Sequence, residues 1–221
     1  MPPSNHETLA LVRRAHRPWS RSHVASSFRV GPGLRYETPC QAVEAAVPGD
    51  TIEIEASGHY SGDVCKWSKN GLTLRGVRGR ARIEAAGRSA QSKAIWVIAG
   101  DDRLIENIEL FGSKVPDHNG AGIRHEDRNL TIRNCCFHNN EEGLLTANRA
   151  DSEVLVEFSE FADNGSGNGQ THNLYIGRIA KFTLRFSYSH HARTGHLVKS
   201  RCAELYSLQS VERRARGNGE L

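Results

Sequence analysis

The chain has 221 residues, 38% hydrophobic and 24% charged, which suits one domain or one solenoid with a buried core and leaves little room for two domains. Its net charge is +4, but the 29 Lys and Arg are dispersed among 25 Asp and Glu, so the mild basicity marks no nucleic-acid partner. No apolar run approaches the roughly 20 residues needed to span a bilayer, so no membrane partner is expected.

Residues 1–27 carry Pro2, Pro3, Arg13, Arg14 and Pro18 and read as a disordered leader. The longest apolar stretch there, Leu9 to Val12, is shorter than the roughly 7–15 apolar residues of a secretory signal. From Pro39 to Val47, Ala42, Val43, Ala46 and Val47 fall on one helical face, which predicts a short helix capping the start of the next elements. Pro48-Gly49-Asp50 ends it, and Thr51-Ile52-Glu53-Ile54-Glu55 alternates as a strand does.

A repeat follows. Two inward apolar residues with one gap between them, a turn residue and a further apolar run recur at Leu72–Gly76, Leu104–Leu110, Leu130–Phe137, Val154–Phe161 and Phe182–Tyr188, with a weaker copy at Ala203–Ser207. The turn slot runs Gly76, Asn107, Asn134, Phe158, Phe186, Ser207. Asn there can bond the Asn of the next coil, and Phe can stack on Phe, if the strands are piled about 4.7–4.8 Å apart. Between these units lie second strands at Ala94–Ile98, Gly122–His125, Gly143–Thr146, Asn173–Gly177 and His196–Lys199. The segments Lys114–Gly120, Arg149–Ser152 and Asn164–Thr171 read as loops. With 21 Gly, frequent turns between short strands are expected, in a stack of about six coils. After Ser210 the apolar pattern stops, so 211–221 is expected to be a disordered or atypical tail, leaving an uncapped last coil through which copies could associate.

The five cysteines are an odd count. Cys135 and Cys136 are neighbours on a strand, point to opposite faces and read as a buried stack residue and its neighbour. Cys40 and Cys65 are placed to staple the cap helix to its first coil, although nothing in the spacing demands it, and we expect free thiols.

The segment AVEAAVPGDTIEIEASGHY resembles the N-terminal cap and first coil of pectin-lyase-like proteins, and IRNCCFHNNEEGLL resembles their repeat. The resemblance covers about residues 38–208. It implies an all-β fold, a single right-handed parallel β-helix over 28–210, with a short N-terminal capping helix. It implies a carbohydrate-active protein, usually an exported one, although this N-terminus shows no clear signal peptide. It does not choose among the activities this fold hosts.

Candidate chemistry concentrates in Gly169–Arg178 and, one coil later, Gly195–Arg201. With Leu174, Ile176 and Leu197 in the core, His172, Tyr175, His196, Lys199 and Arg201 would form a basic, aromatic face, flanked by Arg178 and extended two coils earlier by Arg124 and His125. Val198-Lys199-Ser200-Arg201 resembles the "Lys-Ser" strand of β-helix lyases of the chondroitinase B and alginate-lyase type. That resemblance implies Lys199 as the base that removes the proton beside a uronate carboxylate, with Tyr175 or His172 as proton donor to the leaving oxygen. Arg124, His125, Arg178, His196 and Arg201 would bind the substrate. The acidic doublets Asp101-Asp102 and Glu141-Glu142 read as ordinary turn residues. Asp117, Asn119, Glu126 and Asp127 are near enough in sequence to be candidate Ca²⁺ ligands, but a solvated loop is the reading they favour, and no metal site is assigned. The expected partner is an acidic polysaccharide and the expected activity lyase-like. The alternatives are a non-catalytic polysaccharide-binding or adhesion solenoid and an inactive truncated fragment.

Overall fold

The alternation read along the repeat becomes a single column. In the computed structural model, which describes residues 25–209 and the strand Val211–Arg213, Ile52, Leu74, Ile105, Ile132, Val156 and Leu184 lie directly above one another in parallel register. All six are buried. The chain winds through about seven turns, and three parallel sheets of eight, seven and six strands form its walls. The expected leader up to residue 24, residue 210 and the tail residues 214–221 lie outside the described residues.

Each coil crosses the eight-stranded sheet, turns at a corner, crosses the seven-stranded sheet, passes a longer loop and returns along the six-stranded sheet. The apolar run after each corner residue is a strand of its own, for example Ile108–Phe111, Cys136–His138 and Glu160–Ala162. Arg149–Ser152, expected as loop, instead begins the long strand Arg149–Glu157. Apart from the buried Ser152 its polar residues before Val154 are exposed or half-buried, so it carries no apolar alternation until Val154 enters the core. Val211–Arg213 pairs in parallel with Tyr188–His190, so the stack continues past Leu208.

The corner slot behaves as its residue types demand. Asn107, Asn134, Phe158 and Phe186 have φ between 51° and 57°, the left-handed region that Asn tolerates and Phe rarely adopts. Asn134 donates to Asn107 Oδ1 at 3.0 Å. Phe158 stacks on Phe186 at 5.1 Å, a contact that offsets the backbone cost of the two corners. Gly76 starts this ladder because a Cβ there would meet the Asn107 carbonyl oxygen at 2.1 Å. The slot ends at Gln209 rather than Ser207, since Ser207 is in register with core residue Leu184.

A second ladder, not anticipated, runs through the interior. Asn140 donates to Asn164 Oδ1 at 3.1 Å and Asn164 to Asn173 Oδ1 at 3.0 Å. All three are buried, and their amides also bond backbone carbonyls, so the buried polar groups are satisfied.

The cap helix spans Pro39–Ala45. Gln41 Oε1 accepts the Thr38 backbone N–H, covering one donor the first turn leaves open. Cys40 and Cys65 form a disulfide, against the expectation of free thiols. The parallel stack brings their Cα atoms to 5.9 Å, inside the bonding range, which their separation of 25 residues does not reveal. Closing a loop of that length should stabilise the fold by about 3 kcal/mol. Urea unfolding of Cys40→Ser/Cys65→Ser beside the parent, without reductant, should show that loss; identical midpoints would contradict it. Cys135 is buried and Cys136 half-buried, both as free thiols, and burial pushes their pKa values up to about 12 and about 11.

Candidate functional site

The six-stranded sheet sorts its side chains by register. Arg124 pairs with Leu145, Leu145 with Tyr175 and Tyr175 with Lys199, so four residues separated widely in sequence form one outward line across Ala121–His125, Glu142–Thr146, Leu174–Ile176 and Val198–Ser200. Their neighbours Ile123, Leu144 and Leu174 point inward and are fully buried. Lys199 Nζ lies 4.6 Å from the centroid of the Tyr175 ring and Arg201 Cζ 5.5 Å from it, so one aromatic ring holds two cations. Among the described residues neither cation is within ion-pair distance of a carboxylate. Beside Tyr175, a shallow cleft of about 220 Å³ runs between Arg124, Leu145, Asn148 and Arg201. That is below the roughly 300–1,000 Å³ of an enclosed small-molecule pocket, and fits a seat for part of a longer chain.

His172 belongs under this face rather than on it. It is fully buried, with its ring edge-on to Tyr175 at 5.5 Å and to His196 at 4.9 Å. Its Nδ1 accepts the His196 backbone N–H at 3.0 Å, which places any ring proton of the neutral form on Nε2. Nε2 is buried without a partner among the described residues. Burial, with Lys199 and His196 nearby, lowers the His172 pKa from 6.5 to about 4, so the ring is neutral near pH 7. His196 is exposed at the rim.

Two expected members stand apart. His125 does not extend the patch: it alternates inward, next to Ile123's side of the strand, and is 1% exposed. Burial, reinforced by Arg103, lowers its pKa to about 4. Arg178 is exposed at the corner beyond Ile176, where its backbone N–H bonds Asn148 Oδ1 at 2.8 Å. Among the candidate Ca²⁺ ligands, Glu126 binds Lys93 at 2.6 Å and Asp127 binds Arg149 at 3.3 Å. Among the described residues no three His, Cys, Asp or Glu side chains are arranged to hold a metal ion.

The residue that sequence reasoning missed is Glu142. It is 2% exposed and opens a strand instead of sitting in a turn. Its Oε2 accepts the His172 backbone N–H at 2.9 Å. Burial raises its pKa from 4.5 to about 8, against the opposing pull of the His172 N–H, Lys199 and Arg124. Its neighbour Glu141 does a different job: its Oε2 accepts from Val115 N and Gly120 N, at 3.0 and 2.8 Å, and pins the 114–120 loop beside the face. The only signal in the sequence was an acidic doublet between an Asn pair and a strand, a pattern that turns share.

These buried groups set a pH profile. His125 and His172, lowered to about 4, take up protons in the unfolded chain before the folded one, so their contribution to stability is lost as pH falls from 6.5 towards 4. Glu142, raised to about 8, keeps a proton in the fold that the unfolded chain gives up, so stability also falls as pH rises from 4.5 through 8. Below 6.5 the two histidines outweigh the one acid, and above it the acid acts alone. The melting temperature should therefore peak near pH 6.5, and Glu142→Gln should flatten the alkaline side. A melting temperature that climbs steadily to pH 9 would contradict this assignment.

A larger groove, about 1040 Å³, lies on the outer face of the eight-stranded sheet, lined by Asp151, Glu153, Lys181, Thr183 and Tyr206. Its charges are mixed, whereas the face around Tyr175 concentrates cations, so the second is the better seat for an anion.

No family model and no curated protein sequence matches the chain. Solved structures do. Pectin methylesterase PemA from Erwinia chrysanthemi is similar with a TM-score of 0.61 at 13% identity, over 89% of this chain and 68% of its own. The pectin methylesterase from Aspergillus niger gives 0.54 at 14% identity, over 89% and 69%. A pectin methylesterase in complex with a hexasaccharide gives 0.52 at 13% identity, over 90% and 68%. At such identities the likeness establishes the fold alone, a parallel β-helix.

Proposed function

We propose that this chain is a carbohydrate-active β-helix protein that takes an acidic polysaccharide along its six-stranded face and cleaves it by lyase-type elimination. The observation that carries this reading is the line Arg124–Leu145–Tyr175–Lys199 with Arg201 at its side. An aromatic ring and spaced cations on a flat, open surface suit a polymer with repeated carboxylates better than a compact ligand. The similar structures with TM-scores above 0.5 are pectin methylesterases, whose substrate is a polymer of this class, and they support the substrate class rather than the reaction.

In the proposed reaction Lys199, reacting in its free-amine form, takes onto Nζ the proton from the carbon that bears the uronate carboxylate and becomes the ammonium. The electron pair forms a double bond to the next ring carbon as that carbon's bond to the glycosidic oxygen breaks, and Tyr175 Oη gives its proton to the departing oxygen. Arg124 and Arg201 hold carboxylates and the charge that spreads onto them in the transition state. His172, buried and neutral, orients Tyr175 instead of meeting the polymer. The disulfide suits an oxidising compartment, as an exported protein would meet.

The test is to incubate the full chain with pectate, methylated pectin, alginate and chondroitin while reading near-ultraviolet absorbance, methanol and binding. Unsaturated ends support the lyase reading. Methanol without unsaturated ends replaces it with ester hydrolysis, and binding without product replaces it with a non-catalytic solenoid.

A further inference from the structure

Three residues before each of Leu145, Tyr175 and Lys199, on the same three coils, stand Glu142, His172 and His196. They form a ladder of their own. Glu142 Oε2 accepts the His172 backbone N–H at 2.9 Å, and His172 Nδ1 accepts the His196 backbone N–H at 3.0 Å. Each side chain therefore reaches up one coil and ties the residue that leads into the next strand. Glu142 and His172 are both more than nine-tenths buried. Isolated buried carboxyls are costly, and a turn residue would have been left in water.

We propose that Glu142 governs the affinity of this face for a polyanion: through His172 it fixes the strands that carry Tyr175 and Lys199, and it gains or loses a negative charge beneath Arg124 and Lys199. The inference rests on the reading of the face as a site for acidic polysaccharide.

Among the groups packed around it, Glu142 is the buried one whose charge changes between mildly acidic and alkaline solution. Lys199 and Arg124 both act on its carboxyl, from the coils above and below. His172 is neutral over the range in question, since its own pKa is held near 4. His196, at the rim, faces His172. From the neighbouring corner, Glu126 is engaged by Lys93 at 2.6 Å, Lys66 at 3.7 Å and Arg124 at 3.9 Å. Burial raises the Glu142 pKa to about 8, so the acid is neutral in mildly acidic solution and ionised in alkali. Ionised, it cancels part of the field of three cations, and an anion on the face should bind more weakly.

The proposal separates by two substitutions. Glu142→Gln keeps an acceptor for the His172 N–H and removes the titration, whereas Glu142→Ala removes both. Binding of an unesterified oligogalacturonate to the full chain is measured by calorimetry at pH 6 and pH 9, at fixed salt, for parent and both variants. In parallel, the carboxyl carbon of Glu142 is followed by NMR. The parent should lose about tenfold in affinity between the two pH values, Glu142→Gln should match the parent at pH 6 and lose clearly less by pH 9, where the exposed His196 still sheds its charge in both, and Glu142→Ala should bind more weakly at both. A parent and Glu142→Gln that weaken alike overturn the charge role of Glu142. Glu142→Ala binding as well as Glu142→Gln overturns its positioning role. No binding by any of the three, with the carboxyl still titrating near 8, overturns the polysaccharide reading itself.

Discussion

Phe161→Ala should be among the most damaging single changes in this chain, costing about 3–5 kcal/mol of stability. Phe161 is fully buried and stacks on Phe137 of the preceding coil with ring centroids 4.6 Å apart and planes within 1°. Each ring occupies space that a glycine opens on the facing sheet: a Cβ at Gly143 would meet Phe161 Cδ1 at 2.9 Å, and one at Gly122 would meet Phe137 Cδ1 at 2.8 Å. The void left by Ala cannot close, because the coil spacing is set by backbone bonds between strands about 4.7–4.9 Å apart and not by side-chain size. The loss therefore belongs near the top of the range for aromatic truncation, with a further part from the broken stack. Because each coil touches only its neighbours, the damage should localise around Phe137 and Ser189, its register partners, and urea unfolding should lose some cooperativity. A midpoint displaced by less than about 1 kcal/mol would mean that the interior of this solenoid is softer than its packing implies.

The same stacking explains what the sequence disclosed. A column needs the same residue class at the same slot in each coil, so Leu74, Ile105, Ile132, Val156 and Leu184, and the corner pairs Asn107–Asn134 and Phe158–Phe186, announce themselves by repetition. Features built once per molecule do not. The Cys40–Cys65 contact depends on how the cap lies over the first coil, and the Asn140–Asn164–Asn173 ladder crosses a loop whose length breaks the period. On the candidate face, Tyr175, Lys199 and Arg124 were legible because strand alternation decides their side. His125 and Glu142 were not, for opposite reasons. His125 has the inward parity of Ile123, which its polar character disguised, and Glu142 has the composition of a turn residue but the position of a strand opening, buried beneath its neighbours.

Lys199→Ala should abolish elimination, with a loss of about 10²–10⁴-fold, the usual range for removing a general base. Binding should change far less, because Arg124 and Arg201 remain on either side of Tyr175. Lys199→Arg sharpens the distinction: the cation and its place over the Tyr175 ring can be kept, but guanidinium does not give up its proton, so turnover should fall as far as in the alanine variant with KM little altered. Tyr175→Phe keeps the ring that supports both cations and removes the hydroxyl assigned to the leaving oxygen. It should lower turnover on the intact polymer and leave affinity in place. A charge-binding role for Lys199 predicts the reverse pattern, with Lys199→Arg near parental turnover and Lys199→Ala impaired mainly in KM. If that pattern appears, or if Lys199→Ala keeps the full rate on an active parent, the base must be sought elsewhere on the face.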